Sequence, residues 1–369
     1  MLMLNEIHIR GYKSYGGQDE HVVPFGKVTV LIGANGAGKS NLVSVFRLLN
    51  YAFTGALQNY VRRTDPATFF FEGPKRTPFI DLSFCLKDEN GSKDRYALRF
   101  GFGNPDRFLV MSEEVTYQKP DSDHPQIITL SPGFSGELGL WESHDAITQK
   151  VVYAALSQMR VYQFHDTSDA ARIKLPSNTR ERFLKSDGGN LSAFLYRLKC
   201  DSPKHYERIR RHVQRVMPQF DDFDLVPDVR DNVLLNWRMR GDVDGIYGPH
   251  QISDGSLRFM ALAALLLQPK ETLPSVIVID EPELGLHPAA IIELVGMVRM
   301  ASESAQVVLA TQSPLLMNEF EPSEIVVVER DENRRCSVCR TLDEKRLATW
   351  LEDYSLSDLW EKNLLGGRP

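Results

Sequence analysis

An eight-residue run, Gly33-Ala34-Asn35-Gly36-Ala37-Gly38-Lys39-Ser40, constrains this chain more than any other feature. It follows the apolar stretch Val28–Ile32, which reads as a buried strand, and leads into Leu42-Val43-Ser44-Val45-Phe46, which reads as a helix. A strand, a glycine-rich turn ending in Lys-Ser and then a helix is the arrangement of a phosphate-binding loop. Glycines let backbone N–H groups close around phosphate oxygens, and the helix N-terminus adds the positive end of its dipole. The pattern predicts a nucleoside triphosphate site formed by Gly33, Asn35, Gly36, Ala37, Gly38, Lys39, Ser40 and Asn41. Lys39 would reach the β- and γ-phosphates and the Ser40 hydroxyl would ligate Mg²⁺.

A second acidic motif lies far downstream. Val276-Ile277-Val278-Ile279-Asp280-Glu281 reads as a buried strand ending in two carboxylates, with Asp280 suited to the metal and Glu281 to polarising an attacking water. Lys39 and Asp280 are 241 positions apart, so a substantial insert is expected between the two halves of the site. About 27 residues before Asp280, Gln251–Arg258 precedes a strongly apolar helix; there Ser253 reads as an N-cap and Gly255 as a close-approach residue.

With these motifs in place the chain resembles the ATP-binding-cassette ATPases, and within them the RecF-like branch that includes chromosome-maintenance heads and the overcoming-lysogenisation-defect nucleases. Ser253-Asp254-Gly255-Ser256 is similar to the cassette signature, Asp280-Glu281 to the Walker B pair, and Glu283–His287 to the D-loop region. Val307–Pro314 is similar to the switch strand. A narrower resemblance, to bacterial ATPases of similar length, is carried by Phe164-His165-Asp166-Thr167-Ser168, by Gly189-Asn190-Leu191 and by Leu359–Pro369, phrases with no assigned chemistry.

The resemblance implies an α/β fold: a two-lobed P-loop NTPase head with a large, mainly helical insert between the phosphate loop and the signature. The corresponding divisions are 1–117 for the N-terminal lobe, 118–245 for the insert and 246–369 for the C-terminal lobe. It also implies ATP and Mg²⁺ as cofactors, and a homodimer formed on ATP binding. In that dimer Ser253, Asp254, Gly255 and Ser256 of one subunit complete the site around the partner subunit's Lys39. The switch position is Gln312 rather than the histidine usual in transporters. Its amide can donate to a phosphate oxygen but cannot titrate near neutrality, which predicts slow turnover. Gln163, on an expected strand Met159–Phe164, is the candidate Q-loop residue, with Asp166 its local rival.

Composition narrows the partners. A net charge of −6 gives no global basic footprint, so nucleic-acid binding would rest on a local patch. Segment 197–215 is such a patch: seven basic residues stand against two acidic ones, with Lys204, Arg208, Arg211 and Arg215 as candidate contacts. The same segment reads equally as a solvated helix face. No apolar run approaches the roughly 20 residues that span a bilayer, no signal peptide is evident, and the four cysteines lack a framework spacing, which together suggest a cytoplasmic protein. Cys336 and Cys339 fall on an expected strand, where an odd separation points them to opposite faces.

Smaller elements are also legible. Phe79–Leu86 and Tyr96–Phe100 alternate like a hairpin about Asn90-Gly91, and residues 190–216 turn helical. Residues 118–139 read as long polar loops, and the aromatic segment 350–360 as one amphipathic helix. Two roles fit an ATPase of this kind. One is DNA repair or genome maintenance; the other is regulation of a separately encoded effector, such as a nuclease in phage defence or a toxin system. The 56 residues after Ser313 are too few for the Toprim domain of the nuclease-fused relatives, which places any effector activity in trans. A transporter subunit fits poorly with Gln312 and the long insert.

Overall fold

The computed structural model describes residues 2–103, 107–120, 124–131, 133–143 and 145–367. The chain forms two compact units, one made of residues 1–160 and 320–369, the other of residues 161–319.

The first unit opens with β1 (Met3–Arg10), β2 (His21–Pro24), β3 (Val28–Ile32), α1 (Lys39–Ala52) and α2 (Leu57–Val61). Next come β4 (Phe79–Lys87), β5 (Lys93–Gly103), β6 (Arg107–Gln118), β7 (Gln126–Ser131), α3 (Gly139–Glu142) and α4 (Ile147–Ser157). β1, β2 and β4–β7 form an antiparallel sheet in the order β2-β1-β4-β5-β6-β7. Its strands alternate buried and solvent-facing residues, as a sheet with one wet face requires. Tyr96, Phe84, Phe100 and Phe108 from the inner face meet Phe53 and Phe69 from the α1 side of the core, with ring centroids 5.3 Å apart for Phe69 and Phe108. Each such ring contributes on the order of 2–3 kcal/mol on burial. The β4–β5 hairpin turns at Gly91, whose φ is +87°, and Asp88 accepts from the Asn90 and Ser92 amides there.

β8 (Met159–Tyr162) carries the chain from the first unit into the second. The second unit contains β9 (Ser177–Asn178), α5 (Leu191–Asp201), α6 (Pro203–Val216), β10 (Phe220–Asp224), β11 (Asn232–Val233) and β12 (Asn236–Met239). It continues with α7 (Asp254–Leu266), β13 (Val276–Asp280), α8 (Pro288–Ser302), β14 (Gln306–Thr311) and α9 (Pro314–Met317). β13 and β14 pair in parallel and are buried along their whole length, which explains their unbroken apolar sequences. α7 is buried from Phe259 to Leu266 and packs against α6 and α8. A helix apolar on every side belongs in an interior.

The chain returns to the first unit with β15 (Ile325–Asp331), β16 (Cys336–Thr341), α10 (Glu344–Leu351) and α11 (Leu356–Glu361). β15 lies parallel to β3 and antiparallel to β16, so the strand that feeds the phosphate loop is flanked by the end of the chain.

Four expectations need correction. Residues 126–131, read as loop, are a strand paired with β6, in which half-buried Ile128 and Leu130 alternate with exposed Ile127 and Thr129. Residues 118–245 are not mainly helical: β7–β12 stand among α3–α6, and Phe220–Asp224 carries the period-two pattern of a strand. The C-terminal aromatic segment is two helices rather than one, since Ser355 starts a new helix by accepting from the Asp358 amide. β8 stops at Tyr162, which leaves Gln163 beyond the strand rather than on it. No described helix is long and apolar enough to cross a membrane.

Candidate functional site

The first unit holds the phosphate loop. Asn35 and Gly36 form its exposed tip, whereas Ala37, Gly38 and Lys39 are buried and Ser40 is exposed. Gly38 sits at the start of α1 with φ +119°, and a β-carbon there would lie 2.2 Å from Ser337 Oγ. No other residue fits that position. Lys39 folds back over the loop and donates from Nζ to the carbonyls of Gly33 (2.5 Å) and Ala34 (3.0 Å). This curls the loop around the space where phosphate oxygens belong. α1 has no side-chain N-cap, so its first turn offers backbone amides and the dipole to an anion.

A polar support lies behind the loop that the sequence motif does not announce. Ser337 Oγ on β16 donates to the Ala37 carbonyl at 2.6 Å and lies 2.7 Å from Ser14 Oγ. Ser14 Oγ also accepts from Asn41 Nδ2 at 2.8 Å, so the Asn41 side chain braces the loop. The Ala34 amide donates to the Gly367 carbonyl at 2.8 Å. These partners are 300 or more positions from their loop contacts in two cases, too far for any local pattern to reveal.

The second unit holds an acidic cluster. β13 delivers Asp280, buried, and then Glu281 at φ +49°. That left-handed backbone, costing about 1–3 kcal/mol for a non-glycine residue, turns the Glu281 side chain out of the strand direction. Gln312, just past β14, donates from Nε2 to Glu281 Oε1 at 3.0 Å. The Glu281 amide donates to the Ala310 carbonyl at 2.8 Å, tying the two strand ends together.

His165 completes this cluster. Gln163 Nε2 lies 3.0 Å from His165 Nδ1 and must donate to it, which leaves the imidazole proton on Nε2. His165 Nε2 then donates to the Asp280 carbonyl at 3.0 Å and stands 4.0 Å from Glu281 Oε2. Gln163 therefore faces a histidine in this structure. Asp166, its rival, accepts from the Ser168 amide and hydroxyl in a local turn, which holds its carboxyl below the usual range.

Glu283, half-buried, lies beside Gln312. Its Oε1 accepts from Thr311 Oγ1 at 2.5 Å and from the Gln312 amide at 3.3 Å. Burial pushes its carboxyl above the ordinary range, against the pull of the Thr311 hydroxyl. Arg258 on α7 joins the remaining pieces: its guanidinium donates to the carbonyls of Phe164, His165 and Leu284 and to the Thr167 hydroxyl, at 3.0–3.2 Å. Motif reading passed over His165, Glu283 and Arg258 because their roles lie in who they touch, although each sits inside a phrase that marks the family.

At the start of α7 the structure shows the cap and the close backbone approach read from the sequence. Ser253 caps α7, accepting from the Ser256 amide at 3.2 Å, and a β-carbon on Gly255 would lie 2.3 Å from the Gly285 carbonyl oxygen. Asp254 lies 4.0 Å from the buried Lys174. The basic segment is largely neutralised: Arg211 and Arg210 pair with Glu207, Arg215 with Glu293, Lys199 with Asp222 and Arg197 with Asp201, at 2.8–3.2 Å. Among the described residues, Lys204 and Arg208 are exposed and make no ion pair with an acidic side chain.

A family described as "AAA domain, putative AbiEii toxin, Type IV TA system" matches residues 28–318, a span that includes both the phosphate loop and the acidic cluster. No curated protein matches the sequence significantly. Among solved structures, the fold is similar to an Smc head bound to the C-terminal winged-helix domain of ScpA, with TM-score 0.58 and 15% identity over 94% of this chain and 99% of that one. It is also similar to an Smc head domain with an extended coiled coil bound to the C-terminal domain of ScpA, from Pyrococcus furiosus, with TM-score 0.57 and 15% identity over 96% and 99% of the two chains.

Proposed function

The chain belongs to the AAA family described as "AAA domain, putative AbiEii toxin, Type IV TA system", and from that premise we propose that it is an ATP-driven dimerisation switch that controls a separately encoded effector. The observation that carries the reading is the Gln312–Glu281 hydrogen bond of 3.0 Å, which holds a carboxylate base and a phosphate-sensing amide in one constellation.

In this reading ATP lies on the phosphate loop, with Lys39 on the β- and γ-phosphates. Ser40 and Asp280 offer the hydroxyl and carboxylate oxygens that a hard cation takes, and Mg²⁺ there would offset phosphate charge. Glu281 accepts the proton of a water whose oxygen attacks the γ-phosphorus, and the bond to the ADP oxygen breaks. Gln312 exchanges its Glu281 contact for a γ-phosphate oxygen. An amide held between two acceptors fits slow, gated turnover better than rapid cycling.

Each subunit has one phosphate loop and one signature. Ser253 and the Gly255 backbone would meet the γ-phosphate held by the partner subunit's Lys39. Only ATP supplies that bridge, so ATP and ADP differ in affinity for the two states, as any switch requires. The family description and the ion pairs that neutralise segment 197–215 favour a protein effector. Coupling to DNA repair is the second reading, supported by the exposed Lys204 and Arg208, which are suited to a phosphate backbone.

The test is solution mass of wild type and Glu281→Gln with ATP–Mg²⁺, with and without duplex DNA. An ATP-dependent dimer lost on Ser253 substitution supports the switch. A further DNA-bound species, lost on Lys204→Glu, would move the reading to DNA. A monomer with ATP demonstrably bound rejects the dimer.

A further inference from the structure

The solvent-facing side of the antiparallel sheet carries a mixed nitrogen, oxygen and sulfur cluster that the nucleotide chemistry does not use. Glu6 and His8 lie two apart on β1 and so share a face. The β1–β4 register places Cys85 opposite Glu6, and this depends on a bulge at Asn5, because an unbroken ladder would set Asn5 against Cys85. Bulges of this kind re-aim side chains. Here one donor atom from each of Glu6, His8 and Cys85 falls within 4.8 Å of the others.

The imidazole is the informative member. His8 Nε2 lies 3.1 Å from Glu6 Oε2, and Nδ1 lies 3.0 Å from Glu20 Oε2, a contact at ion-pair distance though not aligned as a full hydrogen bond. A neutral imidazole has one N–H and cannot satisfy both carboxylates. With the proton on Nδ1 toward Glu20, the Nε2 lone pair confronts the Glu6 carboxylate, and a cation between them converts that repulsion into two bonds. A carboxylate on the far nitrogen of a ligating histidine is the usual outer support of a metal site.

We propose that Glu6, His8 and Cys85 bind one divalent transition-metal ion, with zinc the best match, and that Glu20 orients His8. A thiolate, an imidazole and a carboxylate suit zinc, whereas Mg²⁺ and Ca²⁺ take oxygen ligands alone. Three protein ligands leave one position of a four-coordinate ion for water. The ion joins β1 to β4 and, through Glu20, to the start of β2.

The experiment uses the full chain, stripped with a chelator and kept free of nucleotide. Zinc is titrated against a chromophoric chelator, and Co²⁺ absorption reports thiolate ligation. One equivalent of zinc is expected, with a Co²⁺–thiolate band that Cys85→Ser abolishes. Glu6→Gln, close to isosteric, should weaken binding, and Glu20→Gln should weaken it by about 10–100-fold while keeping the band. His8→Ala should remove binding, with Glu6→Gln standing in if that variant fails to fold. Absence of stoichiometric zinc would overturn the site. A thiolate band that persists in Cys85→Ser would equally overturn it, assigning the metal to another thiol.

Discussion

Gln312 Nε2 and Glu281 Oε1 are 3.0 Å apart, a donor and an acceptor that the proposed hydrolysis would use in two different places. While the bond is intact the carboxylate is oriented and the amide is occupied, so γ-phosphate must compete for Gln312. Glu281→Gln should therefore keep ATP binding and lower single-turnover hydrolysis by about 10²–10⁴-fold, the usual worth of a positioned general base. Gln312→Ala should lower it less. Equal losses in the two variants would mean that Gln312 does more than orient its neighbour.

His165 donates to the Asp280 carbonyl at 3.0 Å, and in the proposed mechanism it would act through that backbone contact. His165→Ala should reduce kcat roughly tenfold, about 1.4 kcal/mol, with KM for ATP little changed. His165→Gln, which restores an N–H donor of similar reach, should recover much of the loss. A change confined to KM would place His165 in nucleotide binding instead.

Ser253 caps α7, and in the proposed dimer it would also meet a nucleotide held by the partner subunit. Ser253→Ala should cost about 1 kcal/mol of stability through the lost cap and also abolish the ATP-dependent dimer. Ser253→Asp retains a good cap but sets a negative charge against phosphate. It should melt near wild type in a thermal scan and still fail to dimerise in sedimentation.

Asp94 on β5 is buried, and burial together with the Asp88 charge raises its carboxyl from 3.8 to about 6. The native state then holds a proton that the unfolded chain has released between those two values, so stability falls as pH rises through that window. Asp94→Asn should be neutral near pH 3 and more stable than wild type by about 1–2 kcal/mol above pH 7. Denaturant melts at both pH values check this, and an equal effect at each would exclude titration as the cause.

The strands and loops that carry the nucleotide motifs were legible because local sequence specifies them. The apolar runs before Gly33 and before Asp280 can only be buried strands, and Ser253 and Gly255 declare a capped, closely packed helix start. What escaped was decided at long range. His165, Glu283 and Arg258 acquire meaning only when the ends of β13 and β14 and the start of α7 converge. β7 is short and polar enough that its partner β6 defines it. The break between α10 and α11, by contrast, was written in the Ser355–Asp358 capping pair and could have been read.

The backing of the phosphate loop has a consequence for how the protein is made. Gly33–Ser40 leaves the ribosome long before Ser337, which braces Ala37 from 300 positions away, and Gly367, which takes the Ala34 amide. Contacts so distant in sequence close slowly. A nascent chain stalled before residue 337 thus displays the ATP-binding sequence without its scaffold, and nucleotide affinity should appear only after residue 367 has been added, as a mark of a finished first unit.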